Sequence, residues 1–320
     1  MFKSTILVAF VTLLNLTTIS NILASDLDAL MFMPQKGKFL NTSAFVIQKN
    51  WYNKTKVTTN VKEYELNENS FEFNNEFRYA FLDILNFGIN LGYVLSDNYT
   101  KTVPGNPATD VITKSNGLKD ITFLTRFRLL DEKVKPVSLD FELSLSPSLQ
   151  NKIEPGANNS GNALRGSHKF ILNTYVGKNV ERFSWMAQLS LIYSTKSIGE
   201  SSTTGIEITD YDSSFDFNIL TKVQLKMNEQ FSMDVGISFY NQGKKKQTDR
   251  ASAVATDFES QMNVSGLFNL NYELMKSKLL LDFGFEYSIN ADNNYSTNGI
   301  AYVNEKSGMY KISLGASFYF

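Results

Sequence analysis

From residue 39 onward the chain is a succession of short stretches in which every second position is apolar. Phe215, Phe217, Ile219, Thr221, Val223 and Leu225 alternate with Asp216, Asn218, Leu220, Lys222 and Gln224. Phe231, Met233, Val235, Ile237 and Phe239 interleave with Ser232, Asp234, Gly236 and Ser238, and Leu279 to Ile289 repeats the pattern. A period of two puts one apolar and one polar face on a β-strand. The same rule predicts strands over 71–81, 87–95, 121–129, 137–145, 168–176, 183–193, 258–272 and 310–320. Residues 39–48 form the weakest strand, because neither face is cleanly apolar. The total is about twelve.

Connections between these strands alternate in length. Short turns fall at 82–84, 131–136, 179–182, 228–230 and 275–277. Long polar connections fall at 53–69, 96–116, 151–167, 195–211, 241–256 and 290–306. A soluble sandwich has no reason to sort its loops this way. A transmembrane up-and-down β-barrel has, with short turns on one side and long loops on the other. The expected fold is therefore all-β: an antiparallel barrel of about twelve strands, with lipid outside and the polar face lining a lumen.

The last strand carries Tyr310, Ile312, Leu314, Ala316, Phe318 and Phe320 on one face. An aromatic terminus on such a strand resembles the carboxy-terminal strand of bacterial outer-membrane barrels, which the barrel-assembly machinery reads. Phe318 and Phe320 are thus the candidate assembly signal. The edge strand of a soluble sandwich is the alternative for this strand taken alone.

At the other end, Lys3 precedes an apolar run over 6–14, and small residues follow at Ala24 and Ser25. This is the anatomy of a secretory signal peptide, with cleavage expected after Ala24. The domain reading is a signal peptide over 1–24 and one barrel over 25–320. The segment 25–37 is too short to form a separate plug domain. Localisation in the outer membrane of a Gram-negative bacterium is expected, with lipid, lipopolysaccharide and periplasmic chaperones as partners.

Composition changes the picture in three places. The mean hydropathy of −0.20 looks soluble, but alternation hides a barrel's hydrophobicity. A net charge of −1 argues against a nucleic-acid surface. There is no Cys and one His, His168, so thiolate sites and His-based metal chemistry have little to work with. No cofactor is expected.

If the apolar residues face lipid, the residues between them face inward. The candidate lumen-lining set is Glu72, Glu76, Arg78, Arg126, Arg128, Asp140, Glu142, Asp216, Lys222, Asp234, Asp282, Glu286 and Lys311. Both signs are interleaved. One reading is a narrow polar channel in which opposed charges across the bore steer a solute. The other is a barrel filled by salt bridges, since unpaired charge away from bulk water is costly. Trp51, Tyr52, Tyr193 and Tyr240 on the loop side, and Phe81, Phe183, Trp185, Tyr272 and Phe320 on the turn side, fit two interfacial aromatic girdles. The run Lys244, Lys245 and Lys246 reads as a solvated loop tip before it reads as an anion-binding patch.

One stretch carries a family resemblance. Asn116-Gly117-Leu118-Lys119-Asp120-Ile121-Thr122-Phe123, continuing to Arg126-Phe127-Arg128-Leu129-Leu130, resembles the "G-x-G-D-hydrophobic … K/R-Y/F-R-L" strand of the phenol-degradation meta-pathway barrels. Lys119 stands where that pattern has its second glycine. The resemblance implies an outer-membrane barrel that admits hydrophobic or aromatic small molecules.

Catalysis is not expected. In the barrel phospholipases a nucleophilic Ser follows the catalytic His by two residues, on the same strand face. Here Lys169 and Phe170 follow His168, and the adjacent Ser167 points to the opposite face. Two functions stand: a narrow passive channel, or a closed structural or adhesion barrel acting through its loops.

Overall fold

The structure is a computed structural model that describes residues 30–105, 109–149, 152–153, 166–180, 182–201, 207–250, 253–276 and 278–320. The expected signal peptide lies outside these residues.

Twelve strands form one closed antiparallel barrel. They are β1 (Phe39–Lys56), β2 (Val61–Leu82), β3 (Leu85–Thr102), β4 (Thr109–Leu118, resuming as Thr122–Leu130), β5 (Ser138–Ser146), β6 (Lys169–Val180), β7 (Phe183–Ser194), β8 (Ser214–Lys226), β9 (Phe231–Gln242), β10 (Gln261–Met275), β11 (Leu279–Asn290) and β12 (Ile300–Tyr319). Each strand pairs with its neighbour in sequence, and β1 pairs with β12 from Leu40↔Tyr319 to Lys56↔Tyr302, closing the ring. Phe39 and Phe320 lock the seam, each donating its backbone N–H to the other's carbonyl at 2.7 and 3.0 Å. Closure leaves no sheet edge in the hydrocarbon, where an unpaired backbone group would find no water.

Burial is inverted relative to a soluble protein. On β5, Ser138, Asp140, Glu142, Ser144 and Ser146 are buried while Phe141, Leu143 and Leu145 are exposed. On β8 and β9, Asp216, Gln224, Ser232 and Asp234 are buried while Phe215, Val223, Val235 and Ile237 are exposed. This is the phase the alternation predicts: the apolar face meets lipid, the polar face meets the lumen.

The strand β1 was the weakest in the pattern, and the structure gives the reason. Its outward residues Asn41 and Ser43 join Asn75 of β2 in a polar patch on the outer wall. Asn75 Nδ2 donates to Ser43 Oγ at 2.7 Å, and Asn41 Nδ2 donates to Asn75 Oδ1 at 3.2 Å. Each group satisfies its neighbour, which is what a polar group in lipid requires.

Aromatic rings collect at both ends of the apolar belt. Phe39 packs against Phe77, Tyr79 and Phe320 on the turn side, with centroids 4.6–5.6 Å apart. On the loop side Trp51 meets Tyr287 and Tyr310, and lies over Gly308, where a Cβ would come within 2.5 Å of its ring. Two expected girdle members are misplaced: Tyr52, which follows the outward Trp51, and Tyr240. Tyr240 points inward and donates to Asp216 Oδ2 at 2.7 Å. It follows the outward Phe239, and the pleat turns it over.

The long connections are largely strand. β1 and β2 run past the belt to a four-residue turn at 57–60, where Asn60 takes φ 52°. Six short strands continue the wall elsewhere: Lys152–Ile153, Ser197–Ser201, Glu207–Tyr211, Lys245–Asp249, Ala255–Phe258 and Asn293–Thr297. They pair with one another and with β12 in a crown above the belt. Alternation could not reveal them, because outside the membrane both faces of a strand are wet. Lys244, at the base of this crown, ion-pairs with Glu259 at 2.5 Å, so the three-lysine run is not an unopposed anion patch. Arg250 grips Asp210 through two bonds of 2.7 Å and holds its carboxyl below the usual range.

The stretch 116–121 breaks β4 into its two halves. Gly117 takes φ +108°, a conformation that disfavours any side chain. Lys119 then turns into the lumen, and the buried Asp120 carboxylate accepts from the Leu149 backbone N–H at 3.0 Å.

The segment just before β1 does not stay outside the barrel. Residues 30–38 lie across the turn-side mouth, with Met31, Met33 and Pro34 buried. Phe32 packs on Tyr319 at 5.5 Å, in an apolar cluster with Leu40 and Leu280.

Candidate functional site

The candidate site is the lumen, and it divides into two walls. Along β2 and β4–β6 the inward charges form a chain of ion pairs. Arg78 on β2 reaches over β3 and β4 to Glu142 on β5, with Nη1 at 2.7 Å from Oε2, and also holds Glu76 at 2.5 Å. Asp140 accepts from both arginines of β4, Arg126 Nη2 at 2.6 Å and Arg128 Nε at 2.8 Å. Asn173 and Tyr175 of β6 donate to Glu142 at 3.1 and 3.2 Å, and the Arg126 guanidinium stacks on the Tyr175 ring at 4.5 Å. Three guanidiniums face three carboxylates, so this wall is neutral in sum. The lumen glycines make room for it: Gly88 lies under the Arg78 stem and Leu124.

Adjacent strands bring these arginines and acids together, and the pairing leaves no opposed charges across a bore. Arg126 and Arg128 are not opposed to acids across a bore. They sit beside Asp140 and Glu142 on adjacent strands, in the register Arg126↔Glu142 and Arg128↔Asp140, and are neutralised there.

The second wall is β8–β12. Lys311 pairs with Glu286 at 2.8 Å, directly across the ladder. Asp234 accepts from Gln224 at 3.0 Å and Asn271 at 3.2 Å. The Lys222 stem crosses Gly236, bringing its ammonium into the field of Asp234, Glu286 and Asp282. Asp282 lies against Gly315, and Asp216 accepts from Tyr240 and from the Gly243 backbone N–H at 2.9 Å. Of the groups named here, two lysines face four carboxylates, which sum to a negative charge.

Solvent reaches the two ends of the lumen unequally. The Lys311 and Lys119 side chains are 38% and 36% exposed, and Lys119 pairs with Glu72 at 2.9 Å. Arg78, Arg126 and Arg128 are each only 12% exposed, and Asp140 not at all. Glu72 and Lys311 sit toward the crown, whereas Arg78 shares its rung with Leu40 and Tyr319 at the turn-side end. The lumen is thus more open around Lys119 and Lys311 than near the turns, while in the crown Thr55, Tyr295 and Ser307 are buried. Two features escaped the sequence pattern: the inward Lys119, which lies in the break of β4, and the residues 30–38, which belong to no strand.

His168 is not set up as a base. Its Nδ1 accepts from the Ser148 backbone N–H at 3.0 Å, at the exposed start of β6.

No family model matches the sequence, and no curated protein matches it. Among solved structures, the chain is similar to an outer-membrane channel from Pseudomonas putida F1, at 12% identity and a TM-score of 0.56, covering 94% of this chain and 100% of that one. It is also similar to the translocator domain of the autotransporter NalP from Neisseria meningitidis, at 11% identity and a TM-score of 0.49, covering 100% and 95%. The outer-membrane protease OmpT from Escherichia coli follows at 9% identity and a TM-score of 0.39, covering 92% and 99%. At such identities only the fold is shared. That fold is a twelve-stranded transmembrane β-barrel of the outer-membrane type, the architecture that the resemblance in 116–130 implies.

Proposed function

We propose that this barrel is a passive channel in the outer membrane of a Gram-negative bacterium, admitting small uncharged solutes, aromatic ones included. One observation carries the reading: the lumen is lined by polar groups, and its Lys311 and Lys119 side chains remain over a third exposed. A purely structural barrel has no need of a wet vestibule. The arginine wall is charge-balanced and the named groups of the β8–β12 wall are negative in sum, so the lumen opposes anions and leaves uncharged solutes unopposed. The apolar residues at the turn-side mouth, Leu280, Tyr319 and Met186, suit an uncharged solute leaving the vestibule.

On this reading the protein is not an enzyme, since the one imidazole is engaged with backbone at the surface. Phe318 and Phe320 serve assembly through the barrel-assembly machinery and periplasmic chaperones, and the crown meets lipopolysaccharide. The test is uptake into proteoliposomes of small neutral aromatic and aliphatic solutes, run beside planar-bilayer recordings. Uptake above empty liposomes, with small conductance, is expected. Correctly folded protein that neither conducts nor admits any solute overturns the reading.

A further inference from the structure

We infer that residues 30–38 are a resident plug of the turn-side mouth and that Arg128 is its latch; the inference rests on the channel reading. The segment crosses the mouth. At its β1 end, Gly37 donates to the Ala80 carbonyl at 2.7 Å, Lys36 donates its backbone N–H to Asp83 Oδ1 at 2.8 Å, and Gln35 donates to Tyr319 Oη at 3.0 Å. At its far end, Met31 lies where a Cβ on Gly177 of β6 would come within 2.9 Å of its Cγ. β6 stands five strands from β1 in a ring of twelve, almost opposite. Seven residues reach up to roughly 23 Å when extended, enough to bridge a narrow barrel.

The two ends are held differently. The β1 end has three backbone donors engaged. Among the described residues the far end has one polar tether, the Arg128 guanidinium donating to the Met31 carbonyl, beside methionine packing and the Phe32 ring on Tyr319. Methionine side chains are unbranched and repack easily. The far end is therefore the end that swings. Arg128 also holds Asp140, so the tether is built from the ion-pair chain of the lumen wall. Met31, at 1% exposed, and Met33, at 7%, put apolar bulk at the turn-side end of the lumen, the kind of constriction that stops water and ions. A solute descending the vestibule must displace Met31 from Arg128 to leave.

The chain has no cysteine, so Met33→Cys and Lys36→Cys variants each carry one thiol. In refolded protein, a bulky water-soluble maleimide should label Met33→Cys at least about tenfold more slowly than the exposed Lys36→Cys, because reaction needs local opening. Arg128→Ala should raise the Met33→Cys rate severalfold. Arg126→Ala, which also takes a partner from Asp140 but does not touch Met31, should leave it unchanged. Equal labelling of Met33→Cys and Lys36→Cys, or equal effects of the two arginine variants, would overturn the plug. Deleting residues 30–36 should raise single-channel conductance severalfold by removing the constriction. A full chain that conducts, with the same conductance in a deletion variant that keeps its heat-modifiable migration, also overturns it. If full chain and deletion are both silent while Met33→Cys stays protected, the channel reading fails and the plug stands.

Discussion

Asp140→Asn tests the arginine wall most directly. Asp140 is fully buried and is shared by Arg126 and Arg128 at 2.6 and 2.8 Å. With charge centres about 4 Å apart and an effective dielectric near 20, each pair gains about 4 kcal/mol before desolvation. Removing the carboxylate charge leaves two guanidiniums that are 12% exposed without that partner. Breaking a buried pair from one side costs about 3–5 kcal/mol, since the other charge stays buried. We expect a loss in that range, read as the shift in urea unfolding from liposomes at unchanged slope. The same assay on Lys244→Ala, which breaks an ion pair exposed on both sides, should show less than about 1 kcal/mol. A triple replacement, Arg126→Met, Arg128→Met and Asp140→Leu, should recover most of the loss, because it removes the charges together. A loss below about 1 kcal/mol for Asp140→Asn would mean that water, not protein, solvates these arginines, and the filled turn-side lumen would be wrong.

Three further outcomes follow from the wall itself. Val235, outward on β9, should cost about 2–4 kcal/mol as Val235→Arg and little as Val235→Leu; equal unfolding curves would refute the assigned phase. Deleting Phe320 removes both backbone bonds that join it to Phe39 and should reduce the heat-modifiable membrane fraction, whereas undiminished yield would detach this residue from assembly. Gly308→Val should displace the Trp51 ring and shift its emission in a Trp185→Phe background; an unchanged spectrum would show that the ring does not rest there.

Alternation is a strong signal only where the two faces of a strand meet different solvents. That is why β5, β8, β9 and β11 could be read residue by residue. It is also why the strand beyond Gln48 in β1 and before Phe71 in β2 looked like loop. Face was legible, but partnership was not. The pattern sets Arg78 inward, yet only ring closure brings it to Glu142, three strands away. Tyr240 misled because an aromatic near a strand end fits a girdle until its parity is counted against Phe239. Met31 and Met33 carried no signal, since a short irregular segment buries itself only after the barrel provides a mouth to cross.

The crown sets where a molecule first meets this protein. β2 has 22 residues, roughly 70 Å of strand at 3.3 Å per residue, and at a tilt near 40° it rises about 55 Å. The apolar band takes up about 25 Å of that height. The rim therefore stands roughly 25–30 Å above the hydrocarbon, which on the proposed reading is the level of the saccharide chains of lipopolysaccharide. A molecule arriving from the medium enters a protein-walled shaft before it meets that carbohydrate mesh. Uptake should then depend little on the length or charge of the surface sugars, and strains with shortened lipopolysaccharide should gain nothing from it through this route.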